Sequence, residues 1–491
     1  MADLLLAIDV GTTNCKAGCF DPQGELVASA SQSYPTHNPQ HGWSEQRAAD
    51  WLAAADSALS ELGRRLGKRA ADLRAAAFSG HGPTLVLTDD RSDPLEPSPT
   101  WQDQRSLAEG SELLSSGIST GWVGMGPPRT GLAAKLLWAK RHQRDSFDAA
   151  AYALDTKSFV GWWLTGEIAT EPSSGPGSDH WSREVFEYIG FPVEKLPPIR
   201  SSLELLGQLK PDLATRYRFP DQLPVYLGLN DGASATLGTG AIEPGDACVS
   251  LGTNGVARLI MDRPFDVMLA LDLGAFFWPF VPGRWIVGGM TLTGGSCLSW
   301  WESAVENESG ILNKLTVEAE QSPVGSNGVL FLPFLAGRGT PEPNASTRAA
   351  FLGLSISSTR GDMTRAVLEG VAMAIYEIFS KLAELGFAFN QARITGGGAR
   401  LPLWCQIMAD TLGKPLIHAG GDALLGSAIM AAVGSGLYRT IPEAVRAMVR
   451  PIAVHPAIPS NHEVYRRSFQ VYRSLAQALV QLSARPEGPR G

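Results

Sequence analysis

The chain has 491 residues, of which 44% are apolar and 18% are charged, and its formal net charge is −8. One hydrophobic core rarely organises a chain of this length, so we expect two large domains in a folded α/β protein. Its basic residues are scattered along the sequence, which argues against nucleic acid or an anionic membrane as the main partner.

The first apolar run is short and follows Met-Ala-Asp rather than a group of basic residues. It therefore predicts a first strand and not a signal peptide. No run approaches the roughly 18 apolar residues that a transmembrane helix needs, so we expect a cytoplasmic protein. The cysteines are dispersed in apolar stretches, and we expect them to be reduced and buried. They are Cys15, Cys19, Cys248, Cys297 and Cys405.

The first half of the chain begins with strands joined by tight turns, including Asp-Pro-Gln-Gly at residues 21–24, which predicts an antiparallel meander. A helix is predicted from about residue 44 to 66, because apolar side chains recur there at helical spacing. Strands are then predicted at residues 73–78 and 85–88. This order is typical of an α/β domain with a mixed sheet.

The second half repeats the theme after a glycine-rich stretch at residues 238–246. We therefore place the boundary between an N-terminal domain, residues 1–240, and a C-terminal domain, residues 241–491. The predicted elements are a strand, turn and strand over 247–260, a hairpin over 276–287, a helix over 361–385, a strand over 393–395, and helices over 403–412 and 424–438.

Two glycine-threonine turns follow apolar strands, one in each half. The first is Gly11-Thr12-Thr13 and the second is Gly252-Thr253. Glycine lets backbone amides approach a ligand closely, and threonine adds a hydroxyl donor, so the pair suggests two domains that close on one polyphosphate. A single turn of this kind is more often an ordinary hairpin turn. The sequence contains neither a P-loop nor a Gly-x-Gly-x-x-Gly fingerprint.

Three segments, Asp-Val-Gly-Thr-Thr at 9–13, Ser-Leu-Gly-Thr-Asn-Gly at 250–255 and Gly-Gly-Gly-Ala at 396–399, resemble the phosphate and adenosine motifs of the actin-like ATPase superfamily. Residues 349–369 resemble the C-terminal signature of the FGGY carbohydrate kinases. Further segments are similar to that family, the last of them only in part: 165–167, 101–105 and 135–138.

The resemblance implies two ribonuclease-H-like domains with a catalytic cleft between them. The N-terminal domain is then expected to bind a small sugar and to carry the catalytic base. The C-terminal domain is expected to bind ATP, with Mg²⁺ as the second cofactor. Family members are often homodimers, so by analogy a homodimer is the expected assembly.

The resemblance also implies roles for individual residues. Asp231 stands where the family keeps its catalytic aspartate, although Asn-Asp-Gly by itself predicts only a turn. Asp9 resembles the residue that holds magnesium through water, although a lone aspartate at a strand end also caps a turn. The residues expected to contact ATP are Gly11, Thr12, Thr13, Lys16, Gly252 and Thr253 on the phosphates, and Gly295, Gly397, Gly398 and Ala399 on the nucleotide.

The acceptor site departs from the family pattern. Xylulose kinases usually carry Met-His and glycerol kinases Arg-Glu where this chain has His81-Gly82-Pro83. The residue after the base is Gly232 instead of the usual asparagine or glutamine, which resembles some gluconate kinases. The remaining candidates for substrate contacts, each of which also has an ordinary interpretation in core packing, are His81, Trp101 and Asp103, beside Asp231 itself.

We therefore expect a carbohydrate kinase that transfers the γ-phosphate of ATP to a primary hydroxyl of a ketopentose such as xylulose. The alternative substrates are gluconate or a polyol. Two further classes stay open: an ATP-binding switch without a small substrate, and a catalytically silent sugar sensor on the same scaffold.

Overall fold

Two mixed β-sheets organise the chain in the computed structural model, which describes residues 3–118, 130–175, 178–305 and 311–483. The elements of the first half are β1 Leu4–Val10, β2 Asn14–Phe20, β3 Leu26–Ser33, β4 Glu45–Gln46, α1 Ala48–Leu66, β5 Leu73–Gly80, β6 Val86–Thr88, β7 Ser98–Pro99, α2 Leu107–Ser115, α3 Leu132–His142, α4 Arg144–Ala149, β8 Tyr152–Leu154, α5 Thr156–Thr165, α6 Arg183–Ile189, β9 Leu205–Gln208, α7 Pro211–Tyr217, β10 Pro224–Tyr226 and α8 Asp231–Gly238.

The elements of the second half follow the same alternation. They are β11 Asp246–Leu251, β12 Gly255–Met261, α9 Val267–Asp272, β13 Phe276–Pro279, β14 Trp285–Thr291, α10 Gly295–Val305, α11 Ile311–Gln321, β15 Leu330–Leu332, β16 Ala350–Leu352, α12 Arg360–Glu384, β17 Gln391–Thr395, α13 Pro402–Leu412, β18 Leu416–His418, α14 Ala423–Gly434, α15 Ile441–Met448, β19 Ala453–His455 and α16 Pro459–Ser483.

The first sheet has the strand order β3-β2-β1-β5-β10-β9. The predicted meander is confirmed, because β1 pairs antiparallel with β2 and β2 pairs antiparallel with β3. On its other side β1 pairs parallel with β5, which pairs parallel with β10. All seven residues of β1 are buried, which suits a central strand covered on both faces.

The second sheet repeats this arrangement, with the order β13-β14-β12-β11-β17-β18-β19. Its first strand, β11, is again central. It pairs antiparallel with β12 on one side and parallel with β17 on the other. The expectation of two α/β domains with mixed sheets is therefore confirmed, and in both domains a glycine-threonine turn follows the central strand.

Two helices cross between the sheets. Helix α14 of the second half contacts β1 and β5 of the first sheet, whereas α8 shares an apolar cluster with strands of the second sheet. The helices approach very closely, since a Cβ on Gly426 would lie 1.9 Å from the carbonyl oxygen of Ser234 and one on Gly238 would lie 2.0 Å from that of Asp422. Only glycine permits this contact. The N-terminus of α8 is thereby fixed between the two domains.

Two predicted helix boundaries were wrong. Helix α1 begins at Ala48 rather than near residue 44, because Glu45 and Gln46 pair with Ser98–Pro99 as a short ladder. Helix α14 ends at Gly434 rather than at residue 438, because Gly436 has a φ of 73° and the chain turns there.

The five cysteines are free and buried, as predicted. Within the described ranges, no helix is both long and apolar enough to cross a membrane.

Candidate functional site

The first turn, Gly11–Thr13, joins β1 to β2 and is held by its surroundings. The backbone N–H of Gly11 donates to the carbonyl of Asn14 at 3.0 Å. Gln46 Nε2 donates to the carbonyl of Thr12 at 2.7 Å, and Trp101 Nε1 donates to the Thr12 hydroxyl at 2.9 Å. The amides of Thr12 and Thr13 have no hydrogen-bond partner in the described part of the chain, so they are free to donate to a ligand oxygen.

The second turn, Gly252–Asn254, joins β11 to β12 and is held by residues 294–296, including the Ser296 hydroxyl, which donates to the Thr253 carbonyl at 2.8 Å. The Gly295 amide donates to the Gly252 carbonyl at 2.7 Å, and the Gly294 amide donates to the Thr253 carbonyl at 2.8 Å. Gly252 and Thr253 are exposed. The amides of Thr253 and Asn254 likewise lack an acceptor among the described residues. Each domain therefore presents a rigid turn with free amide donors.

Asp9 ends the central strand of the first sheet, next to the first turn. It is buried, and Ser79 Oγ donates to its Oδ1 at 2.7 Å. Burial raises the pKa of Asp9 to about 6, while the Ser79 hydrogen bond and the charge of Lys16 oppose that rise. Lys16 Nζ lies 3.8 Å from Asp422 Oδ2 on the loop before α14. Asp9 is thus a carboxylate with one oxygen left uncommitted.

This arrangement fits a magnesium ion that keeps most of its water. The charge of Asp422 also raises the pKa of Asp9, so a cation beside Asp9 would be favoured electrostatically. The described residues contain no group of three or more His, Cys, Asp or Glu side chains that could enclose a metal. Mg²⁺ prefers one or two carboxylates together with water and substrate phosphates, so a single carboxylate matches that preference.

Asp231 is the first residue of α8. Asn230 caps the helix by accepting from the Ala233 amide at 2.8 Å, and its own amide is anchored on Ser173 Oγ at 3.0 Å. Burial and then the charge of Asp9 raise the pKa of Asp231 to about 7, whereas the charge of Arg258 opposes the rise. Asp231 is therefore within electrostatic range of Asp9 of the first domain and of Arg258 of the second.

The predicted acceptor residues lie on the first-domain side, in three different environments. His81 is buried, and its Nδ1 hydrogen bonds with the Val10 carbonyl at 3.1 Å. Burial lowers the pKa of His81 to about 4, so the ring is neutral. Its Nε2 has no partner among the described residues, so this nitrogen is able to accept a hydrogen bond from a hydroxyl group.

The other two predicted acceptor residues are tied to neighbours. The indole N–H of Trp101 is used by Thr12, which joins the acceptor side to the first turn. Both carboxylate oxygens of Asp103 are engaged, because Arg105 binds them through Nε and Nη2 at 2.8 Å each and the Ser44 amide donates to Oδ2 at 2.6 Å. The geometry therefore suits Asp103 to positioning the wall of the site rather than to contacting a hydroxyl.

The glycine run after β17 packs against the second turn. Gly396 has a φ of 93°, and a Cβ there would lie 2.6 Å from the Leu251 carbonyl oxygen. Gly398 packs on the Leu251 side chain, and Ala399 is buried. Gly397 has nothing within 4 Å of the position that its Cβ would occupy. Gly397 thus offers open space beside its backbone, close to the end of β11 and the second turn.

Several residues that support this site were not predicted from the sequence. Tyr34 donates its hydroxyl to the Gly11 carbonyl, Gln46 supports Thr12, and Ser79 orients Asp9. They are distant in sequence from the motifs that they support, so spacing alone gave no signal. Arg258 did carry a signal that was overlooked, since it is the one charged residue in the otherwise apolar strand β12.

Two family models account for most of the chain. The N-terminal domain model of the FGGY family of carbohydrate kinases matches residues 4–238, and its C-terminal domain model matches residues 248–435. The chain belongs to the FGGY family of carbohydrate kinases. It is therefore a carbohydrate kinase, as the sequence predicted.

Relatives within the family act on more than one sugar. A xylulose kinase of Staphylococcus epidermidis is 28% identical over 98% of both chains, and a gluconokinase of Bacillus subtilis is 26% identical over 98% of this chain and 96% of its own. The solved structure of a xylulose kinase from Rhodospirillum rubrum is 28% identical, with a TM-score of 0.85 over 98% of this chain and all of the other. These likenesses support the sugar kinase activity and leave the acceptor open.

Proposed function

We propose that the protein transfers the γ-phosphoryl group of ATP to a primary hydroxyl of a small carbohydrate, with Mg²⁺ as the metal. In this proposal residues 1–240 provide the acceptor site and the base, and residues 241–491 provide most of the nucleotide site. The observation that carries it is the position of Asp231, at the start of α8 and within electrostatic range of Asp9 and Arg258.

Asp231 is proposed as the general base. A sugar hydroxyl is a weak nucleophile, and a carboxylate whose pKa is near the working pH is well suited to taking its proton. Burial and the charge of Asp9 raise the pKa of Asp231 to about 7. The Gly232 amide donates to Asp231 Oδ1 at 2.7 Å, which fixes the carboxylate and leaves Oδ2 for the hydroxyl.

The two turns are proposed to hold the phosphates. Phosphoryl transfer spreads negative charge over the oxygens of the transferred group, and rigid amide donors stabilise that charge. The free amides of Thr12 and Thr13 on one side and of Thr253 and Asn254 on the other meet this need. Lys16 and the Thr12 hydroxyl add charge and a donor, while Gly397 leaves room for the nucleoside.

Asp9 is the residue that would hold Mg²⁺, which supplies charge neutralisation at the phosphates when it is bound. Ser79 keeps one oxygen of Asp9 occupied, so the other faces the first turn and lies 3.6 Å from where a Cβ on Gly11 would be.

The acceptor has two candidates. Xylulose, a ketopentose, is the named substrate of relatives that match this chain over nearly its full length. Gluconate is the named substrate of a relative of similar coverage. One specific observation favours it here, namely the arginine that lies beside Gly232.

The decisive experiment measures ADP release by the purified full-length protein with a panel of pentuloses, polyols and sugar acids. The variant Asp231→Asn is expected to keep ATP binding and to lose about a hundredfold or more in turnover, since it lacks the general base. The matched control is Asp212→Asn, which changes an exposed aspartate in the first turn of another short helix, α7.

Near-normal turnover in Asp231→Asn would remove Asp231 from the proposed role. ADP release with none of the acceptors would favour the switch or the sensor instead of the kinase.

A further inference from the structure

The space beside Gly232 is bounded by groups of the second domain. A Cβ on Gly232 would lie 3.2 Å from Arg258 Nη2 and 3.5 Å from Trp278 Cζ2. Gly232 and Asp231 are only partly buried, so this space is accessible next to the proposed base. The absence of a side chain at position 232 therefore brings an arginine and a tryptophan of the other domain to the edge of the acceptor site.

Both of these side chains carry a hydrogen-bond donor without an acceptor. Arg258 is 8% exposed and Trp278 is 7% exposed. Arg258 Nη1 donates to Ser250 Oγ at 2.8 Å, but its Nε and the Trp278 Nε1 have no partner within the described residues. A buried donor without an acceptor is costly. The guanidinium of Arg258 and the indole of Trp278 both border the space beside Gly232, so an acceptor from a ligand in that space would lie close to both donor groups.

Arg258 brings a positive charge to this space, within electrostatic range of the Asp231 carboxylate. In the described part of the structure Arg258 bonds to the Ser250 hydroxyl and forms no ion pair with Asp231 or another carboxylate, although its charge lowers the pKa of Asp231. The space also lies at the N-terminus of α8, where the helix dipole favours negative charge. A neutral hydroxyl would satisfy one donor but would leave the buried guanidinium without a direct ion-pair partner.

We propose that Gly232, Arg258 and Trp278 form a subsite that binds the carboxylate of a sugar acid. This inference rests on the proposed kinase function and names its acceptor class: an aldonate, for which gluconate is the probe, rather than a neutral ketose. A carboxylate accepts several hydrogen bonds, so it can take donors from Arg258 and Trp278 together.

The proposed subsite requires glycine at position 232, because a larger residue would fill it. An asparagine there would place its own carbonyl among the same donors, and its Cβ would stand 3.2 Å from Arg258 Nη2 and 3.3 Å from Asn230 Oδ1. The side chain would therefore satisfy the arginine and occupy the space of the ligand carboxylate. Gly232 and Arg258 act as a pair, since the first leaves the room and the second supplies the charge.

The test compares two probes that differ only in charge, D-gluconate and D-gluconamide, in the ADP-release assay with the full-length protein. For the wild type, kcat/KM is expected to be about a hundredfold or more higher with gluconate, because the site's buried donors and charge lose their partner with the amide. Arg258→Met is expected to reduce this ratio to within about threefold, by raising the KM for gluconate. Trp278→Phe removes one donor only and is expected to reduce it about fivefold.

Two further variants sharpen the result. Gly232→Asn is expected to lose gluconate turnover and to lower the preference for the charged probe. Arg439→Met, at an exposed position outside the cleft, serves as the matched control for removal of an arginine charge, and the ratio is expected to stay at the wild-type value.

Three outcomes would overturn the subsite. The first is a wild-type ratio near one, or a higher kcat/KM with xylulose than with gluconate. The second is an unchanged ratio in Arg258→Met. The third is an equal loss of kcat with both probes in that variant, which would assign Arg258 to the phosphoryl group.

A binding measurement separates this inference from the proposed function. In the Asp231→Asn background, gluconate is expected to raise the Tm and gluconamide is not, and Arg258→Met is expected to abolish the shift. If no acceptor supports ADP release but this shift is present, the kinase proposal fails and the subsite stands. If ADP release occurs and the shift is absent, the subsite fails alone.

Discussion

The two glycine-threonine turns have the same place in their sheets but are built by different means. Three side chains from distant elements, those of Tyr34, Gln46 and Trp101, bond to the first turn. The second turn is held by one adjacent segment, through the amides of Gly294 and Gly295 and the hydroxyl of Ser296. One of the three side chains, Trp101, is a predicted acceptor residue, so it connects the first turn to the predicted acceptor site. The contacts of the second turn connect it to the start of helix α10.

The residue two positions before the glycine also differs between the turns. It is Asp9 before the first turn and Ser250 before the second. Asp9 accepts a hydrogen bond from the Ser79 hydroxyl, whereas Ser250 accepts one from the Arg258 guanidinium. The first half therefore brings negative charge for a metal, and the second brings donors and positive charge. The two halves share a fold, but the residue at this strand position is an acid in the first half and a serine bonded to an arginine in the second.

The largest expected effect in this comparison is that of Asp9→Asn. We expect the Mg²⁺ concentration for half-maximal ADP release to rise about 10- to 100-fold, as when a group that orients a metal is lost. The matched variant Ser250→Ala removes one hydrogen bond from Arg258 and is expected to change turnover less than tenfold. A magnesium titration of both variants checks this difference, and equal effects would contradict the division of roles between the two turns.

Turnover is expected to decrease as the pH falls below 7. With the pKa of Asp231 raised to about 7 by burial and by Asp9, kcat/KM is expected to fall about tenfold for each unit below pH 7, because the base becomes protonated. A pH profile that stays flat down to pH 5 would contradict this assignment.

The same raised pKa has a consequence for stability. Between about pH 4 and pH 7 the folded state holds a proton at Asp231 that the unfolded chain has released, so this group makes the protein less stable as the pH rises through that window. Asp231→Asn is accordingly expected to raise the Tm at pH 8 and to have little effect at pH 4. Thermal unfolding at both values checks the sign.

Much of the fold could be predicted from local patterns. The continuous apolar run of β1 and the turn at 21–24 predicted the meander, and the 3.6-residue periodicity predicted α12 within about one residue. The errors came where partners distant in sequence decide the structure. Residues 45–46 left the helix because residues 98–99 pair with them, which no local pattern shows.

The candidate site was only partly accessible from the sequence. Residues on the turns, such as Thr12 and Thr253, carry their signal locally, because a glycine-threonine pair after an apolar strand is by itself a pattern that suggests a phosphate-binding turn. Arg258 and Trp278 reach position 232 only because α8 crosses onto the second sheet. Their contact depends on tertiary packing between the domains, so neither residue could be assigned to the acceptor site from its own neighbours.

A smaller effect distinguishes structural from ligand-facing glycines around the second turn. A Cβ on Gly295 would lie 2.7 Å from the Gly252 carbonyl oxygen, so Gly295→Ala is expected to displace the turn and to lower the free energy of unfolding by about 1–3 kcal/mol. Gly397 has open space instead, so Gly397→Ala is expected to leave the stability within about 0.5 kcal/mol of the wild type.

The same two variants are expected to differ in how they affect ATP. In Gly397→Ala the added methyl occupies the open space proposed for the nucleoside, so the KM for ATP is expected to rise several-fold while denaturant unfolding is unchanged. In Gly295→Ala a weaker ATP interaction is expected to accompany the loss of stability, because the turn itself has moved. If Gly397→Ala bound ATP normally, the bare backbone after β17 would have no part in the nucleotide site, and the second turn alone would carry the contacts of that domain.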